Sequence, residues 1–83
     1  MTHMHPTTYR EQVAAEVRAA IARKHITALA VSEQTGIPRS TLSRKLNALA
    51  PLTVDEAVEI ARVLGVEPGT FFPLVAHSAA DAA

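Results

Sequence analysis

Residues 27–49 read TALAVSEQTGIPRSTLSRKLNAL, and the capping and turn residues in this segment indicate its local structure. It opens on threonine, a residue type whose side chain accepts a hydrogen bond from a free backbone N–H of a helix's first turn. Gly36 suits the left-handed residue that ends a helix, and Pro38 suits the start of the next one. The stretch therefore predicts two short helices, residues 28–35 and 38–49, joined by a tight turn.

Two further helices flank this stretch, and both begin with a capping-box pattern. Thr8 and Glu11 can satisfy each other's free backbone N–H groups at the start of a helix that runs to about residue 24. Its expected apolar stripe consists of Tyr9, Val13, Val17, Ala20 and Ile21. Thr53 and Glu56 repeat the pattern before a helix that Gly65 ends, and a short turn around Phe71 and Phe72 follows. The expected fold class is all-α, a compact bundle of four helices plus a short fifth.

Length and composition favour a single small soluble domain. The chain has 83 residues and no cysteine, so disulfides and thiolate metal sites are excluded. The predicted domain spans residues 8–74, between a disordered leader (residues 1–7) and a flexible tail (residues 75–83). The leader lacks the pattern of a signal peptide, and no apolar run approaches the roughly 20 residues of a membrane span. We therefore expect a cytoplasmic protein with no membrane partner.

The charges are divided along the chain, although the formal net charge is zero. Residues 1–50 carry seven Lys and Arg against three Asp and Glu, whereas residues 51–83 carry one against five. One face of the folded domain can therefore be positive enough to approach phosphate.

The predicted third helix has an apolar side and a polar side. Leu42, Leu46 and Leu49 cluster on the first. The second carries Ser40, Arg44 and Asn47, with Thr41 and Ser43 flanking them. A short face with small hydroxyls and one arginine suits the reading of base edges, because arginine binds guanine with two parallel hydrogen bonds.

The run VSEQTGIPRSTLSRKL, residues 31–46, resembles the helix-turn-helix of the phage repressor and Cro family, also called the xenobiotic-response-element type. The segment LTVDEAVEIARVLGVEPGTFF, residues 52–72, resembles that family's fourth and fifth helices, so the resemblance covers about residues 8–72. It implies a transcriptional regulator that binds double-stranded DNA, with the third helix in the major groove. Gly36 would be the turn glycine, and the core of the motif would be Val31, Ile37 and Leu42.

The resemblance also assigns site residues. It implies base reading by Arg39, Ser40 and Arg44, assisted by Thr41 and Ser43. It implies phosphate contacts near Thr27 and Ala28 and after the third helix near Asn47, while Lys45 is either solvated or a further phosphate contact. Many relatives carry glutamine where Ala28 stands and alanine where Ser32 stands. The usual late apolar position holds Lys45, so Leu46 is expected to pack instead.

Other interpretations of these residues remain open at this stage. Phe71, Phe72 and Leu74 either cover the core or form a homodimer contact. Two alternative functions keep the same fold, namely an antitoxin-like protein-binding partner and an excisionase-like architectural DNA binder. We expect no cofactor and no metal, because His3, His5, His25 and His77 lack the spacing of a ligand set. The chain also lacks the motifs of a nucleophile elbow or a phosphate-binding loop, so no catalytic residue is expected.

Overall fold

A computed structural model describes residues 8–74 of the chain, so the predicted leader and tail lie outside the described residues. The described part is all-α. Its elements are α1 (Tyr9–Arg23), α2 (Ala28–Thr35), α3 (Arg39–Leu46), α4 (Val54–Leu64) and a 3₁₀ turn (Pro68–Phe71). The predicted bundle of four helices and a short fifth is confirmed.

The predicted helix starts are present at both capping boxes. The Thr8 hydroxyl accepts from the backbone N–H of Glu11, and the Glu11 carboxylate accepts from the backbone N–H of Thr8. Thr53 and Glu56 make the same reciprocal pair before α4. Each box satisfies two backbone donors that a helix start otherwise leaves free. Local sequence alone therefore sets these two boundaries.

One core holds the helices together. Its buried apolar residues are Val13, Val17, Ala20, Ile21, Val31, Leu42, Leu46, Ala57, Ile60, Ala61, Leu64 and Phe71. Tyr9, predicted as part of the α1 stripe, lies at its edge, exposed, with its hydroxyl donating to the Pro73 carbonyl at 2.8 Å. Ile37 is half-buried against the core, so the predicted motif core of Val31, Ile37 and Leu42 packs as expected.

The third helix is shorter than predicted. Asn47 ends α3, and Ala48 turns into the left-handed region with φ +60°. The backbone N–H of Leu49 then donates to the Arg44 carbonyl at 2.8 Å, and that of Ala48 to the Lys45 carbonyl at 3.2 Å, a Schellman closure. Leu49 therefore leaves the apolar side of the helix and is 61% exposed, so its predicted packing beside Leu42 and Leu46 is wrong.

Phe71, Phe72 and Leu74 at the carboxyl end of the described chain differ in how far they are buried. Phe71 is buried in the core and is unavailable for the predicted dimer contact in this conformation. Phe72 is half-buried against the core, whereas Leu74 is 93% exposed. Of the three residues predicted for a homodimer surface, Phe71 thus packs inside the domain, and Leu74 is the most accessible.

An ion pair joins α3 to α4. Lys45 Nζ lies 2.7 Å from Oε1 of Glu56, and the two side chains are only 14% and 19% exposed. Partial burial alone would raise the pKa of the Glu56 carboxyl. The hydrogen bonds from Lys45 and from the backbone and side chain of Thr53 outweigh it, and the pKa lies below its ordinary value of 4.5.

We predict that Glu56→Gln destabilises the domain by about 1–2 kcal/mol at neutral pH, because glutamine preserves the capping box but not the charged contact with Lys45. The folded-state pKa of Glu56 is lowered, so its stabilisation is present above the unfolded-state pKa and is lost as pH falls through the folded value. Urea unfolding followed by circular dichroism should therefore show the difference between the two proteins shrinking as the pH falls below the ordinary pKa of a glutamate carboxyl.

Glu59→Gln is the matched control, since Glu59 pairs with Arg62 on the solvent side of α4, where the side chains are 47% and 61% exposed. Its removal should cost about 0.5 kcal/mol or less. Equal losses for the two variants would contradict a special role for the Lys45–Glu56 pair.

Candidate nucleic-acid interface

The turn between α2 and α3 is fixed by local hydrogen bonds. Gly36 adopts φ +81°, and its N–H donates to the Ser32 carbonyl at 2.9 Å. The Ser32 hydroxyl donates to the Ile37 carbonyl at 2.6 Å, and the Ile37 N–H donates to the Thr35 hydroxyl at 3.2 Å. Ser32 is itself buried, and the Ile37 carbonyl satisfies its hydroxyl there. The path of the chain between the two helices is therefore held by three consecutive residues, Thr35, Gly36 and Ile37, and by the Ser32 hydroxyl.

The part of the α3 surface that turns away from the buried Leu42 and Leu46 is free in the described domain. The exposed residues on it are Arg39, Ser40, Ser43, Arg44 and Asn47, at the spacing of one helical face. Thr41 is half-buried, which places it at the margin of this face. We call these five exposed residues the α3 polar face.

The cations of the described chain divide into paired and unpaired groups. Within residues 8–74, the ion pairs are Lys45–Glu56 and Arg62–Glu59. The remaining described cations have no carboxylate within ion-pair distance in that part of the chain; they are Arg10, Arg18, Arg23, Lys24, Arg39 and Arg44. All six belong to α1, its carboxyl cap or α3, so unpaired positive charge is concentrated on the elements around the helix-turn-helix.

The residues predicted to contact phosphate lie in different environments. Thr27 caps α2, its hydroxyl accepting from the Ala30 N–H at 3.0 Å, and Ala28 is the first residue of that helix. Asn47 donates from its side-chain amide to the Ser43 carbonyl at 2.8 Å. Lys45 is held by Glu56 in the ion pair described above. Its ammonium is therefore occupied within the domain.

Arg18 is a residue that the sequence reasoning did not single out. Its side chain extends from the middle of α1 to the end of α3, where Nη1 donates to the Leu46 carbonyl. It lines a groove of about 280 Å³ together with Ala28, Arg39, Leu42, Ser43, Leu46 and Asn47. Helical periodicity in α1 placed Arg18 off the apolar stripe, but gave no sign that α3 ends within its reach.

The described residues also bear on metal binding and on membrane insertion. Within residues 8–74, no cluster of His, Asp or Glu has the composition to hold a metal ion. His25 lies in this range, whereas His3, His5 and His77 lie outside the described residues. None of the helices in the described part is long and apolar enough to cross a bilayer.

Gly36 provides a test of the turn geometry. A Cβ at this position would meet no atom within 4 Å, so the cost of Gly36→Ala comes from its left-handed backbone alone. We predict a loss of about 1–2 kcal/mol in the free energy of unfolding, measured by urea titration.

Gly69→Ala is the control, because a Cβ there also meets open space and the residue does not have a positive φ. This variant should be neutral or slightly stabilising, since alanine reduces the entropy of the unfolded chain. Comparable destabilisation at the two positions would show that the left-handed conformation of Gly36 is not the cause.

Comparison with known proteins agrees with this geometry. No curated protein matches the chain. A family model described as helix-turn-helix matches residues 17–71, which begins within α1 and includes every later element through the 3₁₀ turn. The match covers well over half of the chain and includes the turn, the α3 polar face and the buried residues that position them. The chain therefore belongs to the helix-turn-helix family of the phage repressor and Cro type, a family of DNA-binding domains.

Proposed function

We propose that this protein is a sequence-specific regulator of transcription that inserts α3 into the major groove of double-stranded DNA. The observation that carries the proposal is the α3 polar face, whose residues are all exposed while Leu42 and Leu46 of the same helix are buried in the core. The major groove of B-DNA admits one α-helix and displays a distinct pattern of hydrogen-bonding groups for each base pair.

Base reading falls to Arg39, Ser40 and Arg44 in this proposal, with Ser43 assisting. Arg39 and Arg44 are exposed and lack a carboxylate partner within residues 8–74, so their guanidinium groups are available for two hydrogen bonds to guanine. Ser40 stands at the start of the helix, where a short hydroxyl allows close approach to a base edge. Thr41 has a smaller part, since it is half-buried.

Phosphate contacts come from the two ends of the motif. The first backbone N–H groups of α2 at Thr27 and Ala28 and the amide of Asn47 are the proposed donors, and such contacts fix the register of the protein on the duplex. Lys45 does not belong to the proposed interface. If its ammonium moved to a phosphate, the Glu56 carboxylate would remain partly buried without its partner, which is energetically costly.

The proposed mechanism of regulation is occlusion of a promoter by the bound domain. It acts where the DNA is, in the cytoplasm of a bacterial cell or a phage-infected host. A homodimer through Leu74 and the accessible part of Phe72 stays a prediction, and paired half-sites about one DNA turn apart would accompany it. An antitoxin-like partner and an excisionase-like architectural binder are the alternatives that the experiments below separate.

The decisive experiment is selection of bound duplexes from a random pool, followed by affinity measurements on the selected and on random sequences. We expect enrichment of one motif and binding to it at least about 10³-fold tighter than to random duplex at physiological salt. A ratio near one at all salt concentrations would favour an architectural binder, and absence of binding to any duplex would favour a protein partner.

Arg44→Ala tests base reading directly. We predict a loss of about 1–3 kcal/mol of binding free energy on the selected sequence, with little change on random duplex, because the two hydrogen bonds to a base are made only at the correct site. Fluorescence anisotropy with both duplexes measures the two losses.

Lys45→Ala is the matched control, since it removes the next cation on the same helix. Its effect should appear as reduced stability, with the affinity of the folded protein nearly unchanged. If Arg44→Ala weakens binding to the selected and the random duplex equally, Arg44 contacts phosphate rather than bases.

A further inference from the structure

Arg18 occupies an unusual position for a cation on α1. Its Nη1 donates to the Leu46 carbonyl, which belongs to the last residue of α3 and lies at the negative end of that helix. A guanidinium carries five N–H donors, so this bond leaves most of them unused. The residue remains exposed and has no carboxylate partner within residues 8–74.

The groove beside Arg18 has the composition of an anion site. Its polar lining consists of Arg18, Arg39, Ser43 and Asn47, and no acidic residue contributes to it. Ala28 lines the groove at the first residue of α2, where backbone N–H groups lack intrahelical acceptors. Ala28 carries only a methyl group, so its own side chain cannot satisfy these N–H groups.

The arrangement also explains why a flexible side chain would be held in one place. Fixing an arginine side chain costs considerable rotamer entropy. Because the bond to Leu46 already restricts Arg18 in the free domain, less of this entropy remains to be lost when a ligand binds. A ligand that arrives next to the remaining N–H groups finds the guanidinium already oriented. Preorganisation of this kind favours an anion that presents two oxygens to the guanidinium, as the non-bridging oxygens of a phosphodiester do.

We propose that Arg18 binds a backbone phosphodiester of DNA in this groove, while its bond to Leu46 holds the guanidinium beside the α3 polar face. The inference rests on the proposed function, and it extends the interface from α2 and α3 to the middle of α1. Arg39 and the start of α2 complete the positive lining of the same groove.

The test separates the charge of Arg18 from its bond to Leu46. Arg18→citrulline, introduced by chemical synthesis of the chain, replaces the guanidinium by a neutral group of the same shape that still donates N–H to the carbonyl. Arg18→Gln removes the charge and shortens the side chain. Arg62→Gln removes one positive charge from α4, outside the proposed interface, and serves as the matched control for net charge.

The measurement is the affinity for a random-sequence duplex as a function of salt concentration, with folding of each variant checked by circular dichroism. The slope of log K against log salt is negative, and loss of one phosphate contact makes it less steep by about 0.9. The drop in affinity between 50 and 200 mM salt then becomes about threefold smaller. We expect this change for Arg18→citrulline and Arg18→Gln, and an unchanged slope for Arg62→Gln.

Each outcome decides the matter. A citrulline variant with the wild-type slope would overturn the inference, because Arg18 would then only position the end of α3. If the slope becomes less steep by the same amount in Arg62→Gln as in the Arg18 variants, the inference is overturned too, since the effect would be one of net charge. Both results leave the proposed function intact, provided that the wild-type chain still prefers its selected duplex; that proposal fails separately if the wild-type chain binds no duplex.

Discussion

The eight residues of α3 form a helix only because the rest of the domain holds them. An isolated helix of this length is unstable in water, since the entropic cost of its first turn is recovered over too few hydrogen bonds. Leu42 and Leu46 supply what is missing by burying their side chains in the core. The same two contacts determine which side of the helix is left for a ligand, so the fold and the candidate interface have one origin.

Burial alone fixes the side of α3 that faces inward, and polar contacts at its ends fix its direction. The left-handed Gly36 sets the entry from α2. At the other end, Lys45 is tied to Glu56 of α4, and Arg18 of α1 reaches the Leu46 carbonyl. Three neighbouring elements therefore constrain a helix that is only about two turns long. A helix that reads base edges needs such support, because its side chains must meet the bases in one register.

Sequence reasoning succeeded where the determining interaction lies within a few residues. The capping boxes at Thr8 and Thr53 and the left-handed Gly36 are local, and the structure has all three. It failed at Ala48, because no local rule favours alanine with φ +60°, and the predicted helix therefore ran on to Leu49. The roles of Lys45 and Arg18 were missed for a different reason. Each depends on a partner distant in the chain, namely Glu56 and Leu46.

The placement of the unpaired charges, rather than their sum, explains how a chain of zero formal net charge can suit a DNA ligand. Lys45–Glu56 and Arg62–Glu59 occupy two cations with acids of α4, whereas the described cations of α1 and its cap, with Arg39 and Arg44, keep their charge free of ion pairs within residues 8–74. Few free cations mean few phosphate contacts, and these strengthen binding to every duplex alike. In the proposed complex, a small phosphate contribution leaves the preference for one site to Arg39, Ser40 and Arg44. A modest total charge then lowers the competition from non-specific DNA, because the base contacts that distinguish the correct site are a larger share of the binding free energy.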